Sequence, residues 1–513
     1  MSPKIINIIV VLVFVVLSLA ILANSMTKPL GRDEQMYCTA GVLLAQGKMI
    51  YRDFSYPSQM PYHPLLYAAL FRLSNTTHYL LVGRLLSSLC DVLVVVCIVG
   101  IYRRVFDSFP ISAMLLGLAS TVLYLFNPFT IYANGYAWNN DVVVLCVMLS
   151  FWLFITIDFK QKSKYWRIAL IGALLTFTTC MRITMALVQL LFFVVLLSRP
   201  AESLKQRFKN ILPFVIAAAV VLIWPVWVIA QAQRAFFLNL FQISMLNSEW
   251  VHQTGMFYKK FDIIFAALKT PGYLVLIFIA IYLCVMLAWH RHRLTISQAT
   301  NLLIAVLLVF VFFAIALIMP ATWQQHLAMP VPFIVISFAY PLLYLRKLNS
   351  GTELNKHFRT ARTVVAGCAV VLVALYTVVL YNIPKLFNPQ NWPPIQLHTV
   401  SKDIAERTKS PKVILTLAPL YALEGGCQIY TEFSAGTFVY RIADSLSPSD
   451  RQTAHAVGPE TLEQLLKKSP PSAVILGVER KFLEVPLLQT AKPERQAWET
   501  KIYKNGPIVY FRR

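Results

Sequence analysis

The sequence predicts a polytopic α-helical membrane protein of about eleven spans, carrying a small C-terminal α/β domain outside the membrane. Three observations predict it. Of the 513 residues, 58% are hydrophobic and only 13% charged, where a soluble domain carries about 25% charged residues. Apolar runs of bilayer length recur along the chain. The basic residues cluster so that every cluster falls on one side of the membrane. This composition excludes a soluble enzyme, a disordered chain and a secreted disulfide scaffold.

The spans follow in order: Ile5 to Ala23, Leu80 to Tyr102, Ile111 to Phe126, Asp141 to Ile157, Ile211 to Ala230, Tyr273 to Trp289, Leu302 to Met319, Leu327 to Leu345 and Val364 to Tyr381. The stretch Trp166 to Leu197 is too long for one ordinary span and short for two, with Arg182 at its middle. Charge decides its reading. Lys160, Lys162 and Lys164 precede it, with Arg167 at its very start, and Arg199, Lys205, Arg207 and Lys209 follow it. Both flanks belong on the cytoplasmic side, so the stretch goes in and returns as two short helices meeting near Arg182. With Arg103/Arg104, Arg291/Arg293 and the basic run Arg346 to Arg362, the assignment puts the N-terminus inside and the C-terminus outside. The first span follows Lys4 and precedes Ala23-Asn24-Ser25. It is longer than a signal peptide's apolar region and reads as an uncleaved anchor.

The net charge of +23 is spread over these loops, which argues against nucleic acid. The eight cysteines make no CxxC pair and no zinc spacing. Cys38 and Cys427 are both external, which leaves a disulfide open.

Four pieces lie outside: loops Asn24 to Tyr79, Asn127 to Asn140 and Gln231 to Gly272, and the segment 383–513. Residues 1–382 therefore make up the transmembrane region. After it, Pro384, Pro389, Pro393 and Pro394 read as a stiff linker. Val400 to Lys409 and Pro459 to Lys468 read as helices, Lys412 to Leu417 and Ala473 to Val478 as strands, and Asn505-Gly506 as the turn of a terminal hairpin.

The first loop is the most informative. Gly31-Arg32-Asp33-Glu34-Gln35-Met36-Tyr37 opens a helical pattern that runs to Gln46, with Gly47 as its stop. The pattern reads as an amphipathic helix lying along the membrane surface, with Asp33 at its N-cap. Tyr51-Arg52-Asp53-Phe54-Ser55-Tyr56-Pro57 and Pro61-Tyr62-His63-Pro64 follow as a rigid proline-aromatic surface. Asp33 alone reads as a cap and Glu34 as a first-turn acid. Their position just beyond the first span, on the external side, invites a functional reading as well.

This order of one span, an Asp-Glu pair, an interfacial helix and a proline-aromatic stretch resembles the GT-C glycosyltransferases, in particular bacterial members of the protein O-mannosyltransferase and aminoarabinose-transferase branch. Asn127-Pro128 and Asn134-Gly135 to Asp141 resemble the family's second external loop. Gly172 to Arg182 resembles its short helical pair, and Trp323-Gln324-Gln325-His326 its late external motif. The resemblance covers Ile5 to Leu345.

It implies a GT-C-like fold in a bacterial inner membrane, with the C-terminal domain periplasmic. It implies inverting transfer of a sugar from a polyprenyl-phosphate donor to a lipid, glycan or protein acceptor. Such transfer needs a base for the acceptor proton and cations for the departing phosphate. Asp33 is the implied base, Glu34 its support and Asp141 the second-loop acid. Asp141 also reads as a first-turn residue of the fourth span. Arg84, Arg182 and Arg52 are candidates for the phosphate. Intramembrane charge is costly and is usually functional or paired, and Asp91 is a rival partner for Arg84. Tyr56, Tyr62, His63, Asn134, Asn139, Asn140, Gln325 and His326 are candidates for substrate contact, the asparagines equally for turns. The family has members with and without a divalent cation. Asp33, Glu34, Glu249 and His252 are the residues that would hold one here.

A transporter or flippase of lipid-linked sugars is the alternative. It calls for paired repeats and broken helices at mid-membrane, and the sequence shows no obvious repeat. A non-catalytic scaffold would leave the Asp-Glu loop and the intramembrane arginines without a role.

Overall fold

The structure, a computed structural model, describes residues 3–159, 161–199, 203–255, 259–289, 294–320, 322–347, 352–491, 498–504 and 506–513. Lys160, Arg291, Arg293 and Asn505, named above, lie outside them. Among the described residues, seven helices are long and apolar enough to cross a bilayer, and they are joined by shorter apolar helices that include Pro110–Leu125, Asn140–Ile155 and Ile183–Leu197.

In chain order, α1 (Pro3–Thr27) leads into the first loop, which holds α2 (Arg32–Ala45) and α3 (Tyr62–Ser74). Then come α4 (Tyr79–Val105), α5 (Pro110–Leu125), the short α6 (Pro128–Ala133) and α7 (Asn140–Ile155). The ambiguous stretch is a hairpin, α8 (Lys164–Thr179) and α9 (Ala186–Leu197), joined by a 3₁₀ turn at Ile183–Met185. Arg182 sits at its tip in extended conformation, φ −142° and ψ 113°. Gly172 lets α8 press on α10 (Leu204–Gln231). A Cβ there would stand 2.5 Å from the Phe214 carbonyl oxygen, so only glycine fits.

The third loop carries α11 (Gln233–Phe237), a π-helical turn at Leu238–Gln242, α12 (Ile243–Gln253) and α13 (Lys260–Leu268). The later spans are α14 (Pro271–Trp289), α15 (Ile296–Ile318), the pair α16 (Val331–Ser337) and α17 (Ala339–Lys347), and α18 (Thr352–Leu375), followed by α19 (Val378–Tyr381). The α16–α17 span is buried along almost its whole length, so it is the centre of the bundle. The long outer helices keep exposed apolar faces, among them Ile216, Ile223, Phe278 and Phe310, as lipid contact requires.

The proline linker is not merely extended. Pro389 opens a 3₁₀ turn at Pro389–Asn391, and Pro393 starts α20 (Pro393–Arg407), because proline is preorganised for a helix's first turn. Five strands follow among the described residues: β1 (Val413–Thr416), β2 (Gln428–Ile429), β3 (Ala473–Leu476), β4 (Trp498–Ile502) and β5 (Ile508–Arg512), in the order β2-β1-β3-β5-β4. β1 runs parallel to β2 and β3, while β5 is antiparallel to β3 and β4. Alternate residues serve opposite faces. Leu415, Val474 and Leu476 pack with Leu462, Leu466, Leu483 and Leu487. Ile414, Ala473 and Ile475 pack with Ile404 and Ala405 of α20. Cys38 and Cys427 are both free.

The loops and the C-terminal segment meet at one end of the bundle. The Leu420 amide donates to Gln35 Oε1 at 3.0 Å, the Leu80 amide to Glu424 Oε1 at 2.7 Å, and Asn247 Nδ2 to the Phe438 carbonyl at 2.8 Å. Ser434 Oγ reaches the Ser55 carbonyl at 3.2 Å, and Arg234 pairs with Asp450 at 2.7 Å. The first and third loops and the C-terminal segment therefore share one side.

Candidate active site

The helix α2 begins two residues earlier than Asp33 as cap would require. Its N-cap is Gly31, and Glu34, at the third helical position, turns its carboxylate back to the Gly31 amide at 2.7 Å. Asp33 is thus relieved of capping. The helix does not lie on a surface either, since every residue from Glu34 to Leu43 is buried. It packs against α3, α4 and the turn at 420–423. Gly41 permits this, because a Cβ there would meet Tyr67 Cβ at 2.5 Å.

Glu34 is fully committed. Arg84 grips both of its oxygens, at 2.9 and 2.8 Å, with both side chains wholly buried. The Ala137 amide adds a bond at 2.7 Å. Arg84 spends its remaining donors on the carbonyls of Ser25, Lys28 and Pro29, at 3.0, 2.8 and 2.8 Å. Its partner is Glu34 rather than Asp91, and the pair ties the first loop to α4 and to the second loop. It leaves no donor for a phosphate and no carboxylate oxygen for a metal or a proton.

Asp33 keeps a partly open face. Its Oδ2 accepts from Gln325 Nε2 at 3.3 Å. Burial raises its pKa above the usual carboxylate range, opposed by the Gln325 hydrogen bond and then by the charges of Arg32, Arg441 and Arg182. Arg182 reaches this place because the hairpin tip is sewn to the first loop. The Met60 amide donates to the Met181 carbonyl at 3.3 Å, and the Tyr62 amide to the Cys180 carbonyl at 3.0 Å. Arg182 is buried, and its Nη1 donates to Asn140 Oδ1 at 2.5 Å and to Met329 Sδ at 3.4 Å. Arg441 arrives from the C-terminal segment. Its Nε donates to Asn247 Oδ1 at 2.6 Å, and its guanidinium lies over the Trp250 ring at 4.5 Å. Burial lowers its pKa to about 10, which still leaves it charged at neutral pH. Arg32 pairs with Glu479 at 2.9 Å. The Asp33 carboxylate therefore lies in the field of three guanidinium groups, from the first loop, the hairpin tip and the C-terminal segment, each of which is held by a partner other than Asp33.

Asp141 belongs to a different cluster. Its Oδ2 accepts from the Gly135 amide at 2.9 Å. Asp91 Oδ1 takes Asn134 Nδ2 at 2.6 Å and the Tyr124 hydroxyl at 3.1 Å. Lys28 donates to the carbonyls of Tyr132 and Asn134 at 2.9 and 2.5 Å. Burial pulls the Lys28 pKa down to about 7, against the attraction of Asp141. A small cavity lined by Ala20, Asn24, Asp91, Thr130, Ile131 and Asn134 adjoins this cluster.

The other candidates divide between structural and unpartnered positions. Asn139 Nδ2 donates to Gln59 Oε1 at 2.8 Å, joining the second loop to the first. Tyr62 donates to the Val221 carbonyl at 2.5 Å and packs on Phe177 and Trp224. His326 Nδ1 accepts from the Trp323 amide at 3.2 Å within a 3₁₀ turn. Tyr56 and His63 are fully buried around Tyr37, and among the described residues the Tyr56 hydroxyl and both His63 nitrogens have no hydrogen-bond partner. Arg52 lies on the surface, paired with Asp53 at 2.8 Å, away from the buried cations. Glu249 lies on α12, where it accepts from Gln253 Nε2 at 3.4 Å, and His252 is on the same helix. Among the described residues, Asp33, Glu34, Glu249 and His252 do not form a ligand group. With Glu34 consumed by Arg84, the donor set at Asp33 does not fit a cation.

Arg441, Glu479 and Arg32 carry no sequence signal for this role. Arg441 lies in a segment without a motif, and only the docking of the C-terminal segment brings it over the first loop.

The profile of the dolichyl-phosphate-mannose-protein mannosyltransferase family matches residues 58–229. A search of curated proteins finds no match. Among solved structures, ArnT from Cupriavidus metallidurans bound to undecaprenyl phosphate is similar at 13% identity and a TM-score of 0.61, over 99% of this chain and 98% of that one. The same protein without ligand gives 13% identity and 0.62, over 98% and 97%. The oligosaccharyltransferase of Archaeoglobus fulgidus gives 11% identity and 0.50, over 98% and 74%. The chain is a multi-pass membrane protein with the fold of ArnT and of the archaeal oligosaccharyltransferase, the GT-C fold, and within it residues 58–229 match the mannosyltransferase profile.

Proposed function

We propose that this chain transfers a sugar from a polyprenyl-phosphate donor to an acceptor on the external face of a bacterial inner membrane. Its N-terminus is cytoplasmic, residues 1–382 form the catalytic region, and 383–513 is a periplasmic domain. The observation that carries the reading is the Asp33 carboxylate, freed from capping by Gly31 and Glu34 and within the field of the buried Arg182 and the half-buried Arg441.

Asp33 takes the proton of the acceptor hydroxyl. The oxygen attacks the anomeric carbon as its bond to the phosphate oxygen breaks, with inversion. The leaving polyprenyl phosphate takes the negative charge and is met by Arg182, a planar fork suited to phosphate. Gln325 orients Asp33. Arg84 and Glu34 act by holding α2, and Asp141, Asn134 and Asn139 by shaping the second loop. The fold relatives support the donor class, one of them being solved with undecaprenyl phosphate bound.

The test is a comparison of cell-envelope glycans between wild-type and deletion strains, with purified protein assayed on a polyprenyl-phosphate sugar. A sugar missing from the envelope, restored by wild type and not by Asp33→Asn, is the expected result. An intact glycan inventory with a lipid-linked sugar accumulating inside would replace transfer by transport.

A further inference from the structure

Away from Asp33, the head of α4 meets the C-terminal segment at a second polar cluster. His78 immediately precedes α4, His398 lies on α20, and Glu424 follows the short helix Leu420–Leu423. Glu424 is fully buried, with Oε1 on the Leu80 amide at 2.7 Å and Oε2 at 3.2 Å from His398 Nδ1. The two imidazoles stack with centroids 3.5 Å apart and planes at 25°. One ligand atom from each of the three residues lies within 4.8 Å of the other two. His78 Nδ1 is buried and has no hydrogen-bond partner among the described residues.

The Leu80 amide and His398 Nδ1 account for the two oxygens of Glu424 and leave the buried His78 nitrogen unexplained. A buried nitrogen without a partner is costly, and two stacked imidazoles repel once both are protonated. Two imidazole nitrogens and a carboxylate are the donors of a borderline divalent metal such as zinc. The 3.2 Å between His398 Nδ1 and Glu424 Oε2 is already near the roughly 3.3 Å that separates two ligands about 2 Å from a tetrahedral ion. A swivel of the His78 ring brings the third donor in. His398 keeps 12% of its side chain exposed, which leaves a fourth position for water.

We propose that His78, His398 and Glu424 form a zinc-class metal site that staples the head of α4 to the C-terminal segment. Helix α4 carries Arg84, so the staple fixes the element that holds the first loop. The site stands apart from Asp33 and does not depend on the transfer reading.

The test uses the full-length protein in detergent, stripped with chelator, then titrated with Zn²⁺ and Co²⁺. One equivalent bound at micromolar affinity or tighter is expected, with Co²⁺ giving visible d–d absorption and either metal raising the unfolding temperature. His398→Gln and His78→Gln each weaken binding at least tenfold, while Asp33→Asn retains it. Glu424 is left intact because it also caps α4. Absence of saturable binding overturns the proposal. So does binding that survives both histidine variants, or that disappears with Asp33→Asn alone, and none of these outcomes bears on glycosyl transfer.

Discussion

In the proposed transfer Asp33 can serve as base because its neighbours relieve it of other duties. With Gly31 capping and Glu34 closing the capping box, the carboxylate keeps one hydrogen bond, from Gln325. Asp33→Asn should lower kcat by at least about 10²-fold, the lower range for general-base loss, without lowering Tm. The sign follows from its raised pKa. A carboxyl that holds its proton more tightly when folded costs stability when ionised at neutral pH, and asparagine removes that cost. The same shift places the acid limb of kcat/KM above the usual carboxylate range, with activity rising as pH climbs through it. Arg182→Ala should weaken a polyprenyl-phosphate analogue by about tenfold to a hundredfold, the worth of one charge-assisted bond. Unchanged analogue binding would remove the phosphate role.

At the scale of elements, the clamp between α2 and α4 is the largest buried charge pair near the site. Removing either partner strands a charge and should cost about 3–5 kcal/mol. Glu34→Ala or Arg84→Ala should therefore appear as loss of folded protein on size-exclusion chromatography, while Asp33→Asn remains monodisperse. A folded, inactive Arg84→Ala protein would instead point to substrate contact. The long spans and the α8–α9 hairpin were legible in the sequence, because hydropathy and charge sidedness constrain them together. The start of α2 was not, since Asp33 and Glu34 are adjacent acids and only backbone geometry tells which one faces back to the cap. The stretch from Pro61 to Pro64 reads as a rigid proline-aromatic surface, whereas it opens the helix α3 with Pro61 as its N-cap. Strand β2 has two residues and leaves no periodic trace. The partner of Arg84 lies 50 positions away, and no local pattern names it.

At the scale of the molecule, the C-terminal segment contributes charge to a carboxylate on the first loop. Arg441 lowers the Asp33 pKa from across that junction. Arg441→Ala should move the acid limb of the pH profile further up, and Arg441→Lys should restore it. An unmoved limb with reduced stability would make Arg441 a packing residue on Trp250. The sequence offered no route to this residue, because its role comes from docking between segments some 400 positions apart.

The Glu34–Arg84 lock sits one peptide bond from Asp33, the proposed base. Anchored there, Asp33 has little beyond its own two side-chain torsions with which to adapt. Accommodation of differently shaped receivers thus falls to its surroundings, Gln325 from the bundle and Arg441 from the aqueous side. Efforts to redirect this protein toward a new receiver belong at those two positions, with the anchored helix left untouched.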